Sequence, residues 1–247
     1  MAAPPSRNEP IFLVPGSVVG LALVMIVIEI VRGRFLSPNQ DYLVILTFAF
    51  IPARYMPEAL GGAVLPGGWA GDVWTFFTYA LLHGDLTHLF LNVLWMMAFG
   101  TALARRFGTA RFLVFSTLAA VAGALAHLAF HFGEPIPVVG ASAAVSGQMA
   151  AATRFVFDRG APLGLFRNGG PGGYLRPALP LVSVLSNGRA LVFIAVWFGI
   201  NLLVGLTTAA GLADGVSIAW EAHIGGFLFG LLAFPLFDPV RRGSPNA

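Results

Sequence analysis

Six apolar stretches, near residues 11–31, 85–104, 110–130, 141–157, 190–206 and 220–237, limit what this chain can become. A helix needs about 20 largely apolar residues to cross about 30 Å of hydrocarbon, and these stretches reach or approach that length. In lipid every backbone N–H and C=O must be satisfied within the protein, so spans of this kind are expected to be helices. Composition agrees: 57% of the 247 residues are hydrophobic and only 10% are charged, against about 25% charged in an average soluble domain. The expectation is an all-α integral membrane protein, with six transmembrane helices over residues 11–240 between short polar tails at 1–10 and 241–247. There is no cysteine, hence no disulfide framework. The basic charge sits at helix ends and does not indicate nucleic-acid binding.

The first span is too long for a signal-peptide core and is followed by Arg32 and Arg34, not by a small-residue cleavage site. Residues 32–74 read as an interfacial first loop. Its apolar part, Tyr42 to Ile51, is too short to cross as a helix. Prolines and glycines break the remainder, and Tyr55, Trp69 and Trp74 suit the headgroup region. All fourteen basic residues are arginine, and only Arg32, Arg34 and Arg54 fall on the outer side if both termini are inside. The positive-inside rule therefore predicts cytoplasmic termini.

With that topology the second, fourth and sixth spans all begin on the outer side, and the conspicuous polar residues lie near those beginnings. They are His83, His88 and Asn92 before and in the second span, Ser142 in the fourth and His223 in the sixth. Polar groups inside a membrane are costly and point to a functional site. Ser142 lies in the run Gly140-Ala141-Ser142-Ala143-Ala144-Val145-Ser146-Gly147, whose small side chains admit close neighbours. His223 shares a helix face with Gly226 and Gly230, at i+3 and i+7. Packing that glycine face against the small residues of the fourth span would bring His223 to Ser142. A serine hydroxyl becomes a useful nucleophile when an adjacent base takes its proton, and neutral histidine is the usual base. His88 and Asn92, at i and i+4, could offer donors to a developing oxyanion together with the backbone N–H of Ser142. His83 reads as structural.

These segments resemble the rhomboid family of intramembrane serine proteases. The matching pieces are His83-Gly84-Asp85-Leu86-Thr87-His88-Leu89-Phe90-Leu91-Asn92, Gly140-Ala141-Ser142, and Ala222-His223 with Gly226 and Gly230, in the family's order. Trp74-Thr75-Phe76-Phe77-Thr78 is similar to its first-loop signature. The resemblance implies a six-helix rhomboid-like bundle of the bacterial inner membrane that cuts transmembrane segments of protein substrates. It implies a Ser142–His223 dyad without a third acid, and oxyanion stabilisation by His88, Asn92 and the Ser142 N–H. It also implies supporting roles for Gly140, Gly226, Gly230 and Trp74, and a gate formed by the fifth helix and the loop after it. Partners would be transmembrane substrates and the lipid bilayer, with no cofactor. The chain differs from the family's usual pattern at Ala143 (commonly glycine), Ser146 (often an aromatic) and Thr75 (commonly arginine).

Two other readings use the same residues. One is an inactive rhomboid-like protein that binds transmembrane clients. The other is a metal-binding transporter using His83, His88, His127, His131 and His223. His127 and His131 have the i, i+4 spacing of a zinc ligand pair. No carboxylate or cysteine joins them in sequence, Glu221 reads as a helix-start acid, and no metal is expected.

Overall fold

A computed structural model describes residues 14–157, 174–209 and 219–240. The two tails, residues 158–173 of the inner loop, and the loop after the fifth span with Gly211, Asp214 and Gly215 lie outside the described residues. The described residues are helical apart from turns and one isolated antiparallel bridge, Phe50 to Val138. The protein is an all-α membrane protein. Five helical segments are long and apolar enough to cross a bilayer: Gly16–Phe35, Leu86–Phe107, Thr109–Phe130, Gly188–Thr207 and Trp220–Phe237.

The helices, in order, are α1 (Gly16–Phe35), α2 (Pro38–Phe48), α3 (Gly68–Thr78), α4 (Leu86–Trp95), α5 (Thr101–Phe107), α6 (Thr109–Phe130), α7 (Ser142–Val156), α8 (Leu181–Leu185), α9 (Gly188–Ala209) and α10 (Trp220–Phe237). A π-helical turn, Met96–Gly100, joins α4 to α5 as one span. Such turns are rare and occur mostly inside α-helices, frequently at functional sites. Here a Cβ on Gly100 would lie 2.8 Å from Oε1 of Gln148 on α7.

The helix corresponding to the 141–157 stretch differs from the other five. α7 has 15 residues, and Ala143 to Val156 are all buried. At 1.5 Å per residue it is about 22 Å long, short of the hydrocarbon thickness. A helix enclosed by its neighbours need not span the lipid, and α6 and α10 enclose this one. A Cβ on Gly226 would run into the Ala143 carbonyl, and one on Gly230 into the Gly147 carbonyl. Gly225, on the other side of α10, would meet the Ala122 carbonyl of α6 at 2.6 Å. Glycine is therefore required on α10 for backbone-to-backbone packing against both partners.

Several element bounds differ from the sequence expectation: α1 starts at Gly16 and α9 covers Gly188–Ala209, and two further ends carry arginines. α1 runs on to Phe35, so Arg32 and Arg34 lie within its last turn. Arg32 turns inward, donating to Asp41 at 2.7 Å, to Glu29 at 3.1 Å and to the His83 carbonyl at 2.7 Å. The second span continues through Arg105 and Arg106 to Phe107. Arg106 is buried, bonded to both carboxylate oxygens of Asp238 at 2.9 and 2.8 Å and to the Tyr174 and Arg176 carbonyls. Within the first loop, the stretch expected to lie at the interface forms α2, which starts with a full capping box at Ser37 and Gln40.

The Arg106–Asp238 pair ties the end of α5 to the end of α10. Removing one partner of a buried pair strands the other charge, at a cost of about 3–5 kcal/mol. Asp238→Ala should therefore lower unfolding stability in detergent by an amount of that order, measured as a shift in the thermal or denaturant midpoint.

Candidate active site

The loop before α7 is held from several sides. Phe50 and Val138 exchange backbone hydrogen bonds at 3.1 and 2.8 Å, and the Ala53 N–H donates to the Glu134 carbonyl. The Gly140 N–H donates to the Tyr79 carbonyl at 3.0 Å, while the Tyr79 hydroxyl donates to the Ala120 carbonyl of α6. Gly140 has φ +118°, a conformation that side chains rarely adopt, and a Cβ there would lie 2.6 Å from the His88 ring. Only glycine lets the backbone turn so tightly against His88. Two residues later Ser142 opens α7.

His88 and Asn92 reach this turn from α4. Asp85 caps that helix by accepting from the His88 N–H at 2.8 Å. Asn92 is buried and donates one amide hydrogen to the His88 carbonyl at 3.0 Å, with its nitrogen 3.7 Å from where a Gly140 Cβ would be. Both side chains thus border Gly140. His83 packs edge-on to His88 with ring centroids 5.2 Å apart, so it buttresses that ring.

His223 comes from the first turn of α10. Its Nε2 is 2.7 Å from Ser142 Oγ, and its Nδ1 is 2.6 Å from Asn201 Oδ1 on α9. The Asn201 amide nitrogen donates to the Trp197 carbonyl at 2.8 Å. That bond fixes which end of the amide faces the imidazole. Oδ1 can only accept, so Nδ1 must carry the ring proton and Nε2 must present its lone pair to the serine hydroxyl. Sequence reasoning brought Ser142 and His223 together and missed Asn201. The signal was present: Asn201 is an amide in the middle of an otherwise apolar helix, and the rule that intramembrane polar residues mark sites applies to it equally.

The family model described as the Rhomboid domain matches residues 70–238. The chain belongs to the rhomboid family. Rhomboid protease GluP of Bacillus subtilis (strain 168) is 36% identical over 81 residues, 33% of this chain and 15% of GluP. Rhomboid protease GlpG of Enterobacter sp. (strain 638) is 36% identical over 50 residues, 20% of this chain and 18% of GlpG. The chain thus matches less than a fifth of the length of these curated relatives.

Each of the rhomboid chain's three differences has a local account. The Ala143 methyl is buried where α6 presents Gly123, whose own Cβ would collide with it. The space for a methyl on α7 is made by removing one from α6. Ser146 is buried in α7, and the His223 ring is held from α9 by Asn201. Thr75 is fully buried and donates to the Gly71 carbonyl. An arginine still organises the first loop from another position, since Arg54 donates to the Pro66 and Leu46 carbonyls at 3.1 and 2.8 Å. Trp74 contributes by donating its indole N–H to the Thr47 carbonyl at 2.9 Å, which ties α3 to α2.

Burial, helped by nearby His88 and Arg32, pushes His83 down to about 4 from 6.5, so its ring is neutral. Since its folded pKa lies below the unfolded one, the unfolded chain takes up the proton first as the medium is acidified. Stability should fall between pH 6.5 and 4, and the slope in that window should be shallower in His83→Gln, followed by thermal unfolding in detergent.

Proposed function

We propose that the chain is an intramembrane serine endopeptidase that cuts transmembrane segments of membrane proteins. The observation that carries this reading is the 2.7 Å contact between Ser142 Oγ and His223 Nε2, with Nδ1 fixed as the protonated nitrogen by Asn201. In the reaction, Ser142 Oγ attacks the scissile carbonyl while Nε2 takes its proton. The resulting imidazolium gives that proton to the departing amine, and a water then releases the acyl group by the same route in reverse. His88, the free N–H of Asn92 and the Ser142 backbone N–H stabilise the oxyanion, each donor worth about 2.7–4 kcal/mol. Asn201 is a positioning residue that acts through His223.

We read the membrane as the bacterial inner membrane; an even number of spans puts both termini on one side, and the arginine distribution favours the cytoplasm for that side. α7, the fourth span in chain order, joins the five long apolar segments to make six. Its shortness fits a nucleophile that starts below the outer surface, with the sheltering helices excluding bulk water.

A fluorophosphonate probe should label the purified protein, and Ser142→Ala should abolish both labelling and cleavage of a fluorogenic transmembrane substrate. Unchanged cleavage in Ser142→Ala would sink the reading. Absent labelling of the wild type, with client segments still captured, would identify a binding protein instead. Asn201→Ala should lower kcat roughly 10-fold or more while changing KM little, because it frees the imidazole tautomer that general-base action requires. Asn201→Asp, which keeps an acceptor at Nδ1, should recover part of that loss.

A further inference from the structure

The α6 end beside α10 carries a cluster that the Ser142–His223 site does not use. His127 lies in the last turn of α6 and His131 caps it, with the two rings stacked at a centroid distance of 4.3 Å. Glu221 faces them from the first turn of α10. Its Oε1 is 3.0 Å from His131 Nε2, and its Oε2 is 3.6 Å from His127 Nδ1. The potential ligand atoms of all three residues lie within 4.8 Å of one another. The carboxylate missing from the histidine pair's own segment thus comes from another helix.

Two further features bear on what this cluster is for. His127 and Glu221 are each more than nine-tenths buried, yet His127 Nδ1 and Glu221 Oε2 face one another without a hydrogen bond. Buried polar atoms of this kind need a partner, and an unmet one is costly. The second feature is Glu134, whose Oε2 is 3.0 Å from His131 Nδ1. A histidine that ligates a metal through one nitrogen and faces a carboxylate through the other is a recurrent arrangement around zinc.

We propose that His127, His131 and Glu221 bind a divalent transition-metal ion of the zinc type, through His127 Nδ1, His131 Nε2 and a Glu221 oxygen. Two imidazoles and one carboxylate suit Zn²⁺ or Co²⁺, whereas Ca²⁺ and Mg²⁺ prefer all-oxygen shells. Tetrahedral bonds of about 2.0–2.2 Å require ligand atoms about 3.3 Å apart, a contraction that side-chain rotation at His131, 26% exposed, can supply. Water fills the fourth position. The ion pins the end of α6 to the start of α10, two residues before His223. Glu221 and His223 point to different sides of α10, so the ion stands outside the serine–histidine pair and the proposal does not depend on the protease reading.

Chelator-stripped full-length protein in detergent is titrated with CoCl₂ and, separately, with ZnCl₂. One equivalent of Co²⁺ should give the intense visible absorption of a four-coordinate site, displaced by Zn²⁺, and Zn²⁺ should raise the thermal midpoint. His127→Ala and the near-isosteric Glu221→Gln should each weaken Co²⁺ binding at least 10-fold, while Ser142→Ala and His88→Ala keep it. Glu221→Gln guards against a folding defect, since its metal-free midpoint can be compared directly with that of His127→Ala. No stoichiometric Co²⁺ spectrum in the wild type would overturn the proposal. So would a spectrum retained in both His127→Ala and Glu221→Gln.

Discussion

The close approach of α10 to α7 is the contact on which the rest depends. Gly226 and Gly230 lie directly on the carbonyls of Ala143 and Gly147, and any side chain at either glycine would force the helices apart. Lipid tails are as apolar as leucine, so helices in a membrane gain little from burying apolar surface against one another. Backbone-to-backbone contact and dispersion take over that role. His223 sits one turn before this seam, so its 2.7 Å contact with Ser142 inherits the seam's tolerance. The Gly123–Ala143 exchange of a methyl between α6 and α7 is the same constraint met from the opposite side.

The first loop does for Ser142 what the glycine seam does for His223. Phe50, Ala53 and Tyr79 hold the chain at Val138, Glu134 and Gly140, so the turn that introduces α7 is fixed by backbone bonds. Arg54 and Trp74 in turn tie that loop to itself. At the other end Arg106, Arg154 and Asp238 bind α5, α7 and α10 through buried charge and backbone carbonyls. The arginines that served the sequence as an orientation signal thus also act as internal ties.

Much of this was legible in the chain because it rests on local patterns. Apolar runs located the spans, and the small residues at 140–147 with the glycine spacing after His223 identified two helices able to meet. What escaped was set by pairings between distant helices. Asn201 is 22 residues from His223 across a loop, and no periodicity links them. Glu221 looked like a helix-start acid because nothing in the sequence says that α6 ends beside it. The exact ends of α1 and α5 escaped for a related reason. Arginines that find carboxylates and carbonyls can be drawn inside a helix that hydropathy alone would close earlier.

The Asn201 hydrogen bond gives α9 a double standing. Only 17% of its apolar window is buried, so it is the least enclosed of the helices around the site, together with α1. Yet it supplies the group that fixes the proton on His223. Any outward swing of α9 that made room for a substrate helix would also break the 2.6 Å bond to the imidazole. The two would then be coupled: with α9 parted, the imidazole would lose the acceptor that favours its Nδ1–H tautomer, and would regain it as α9 returned.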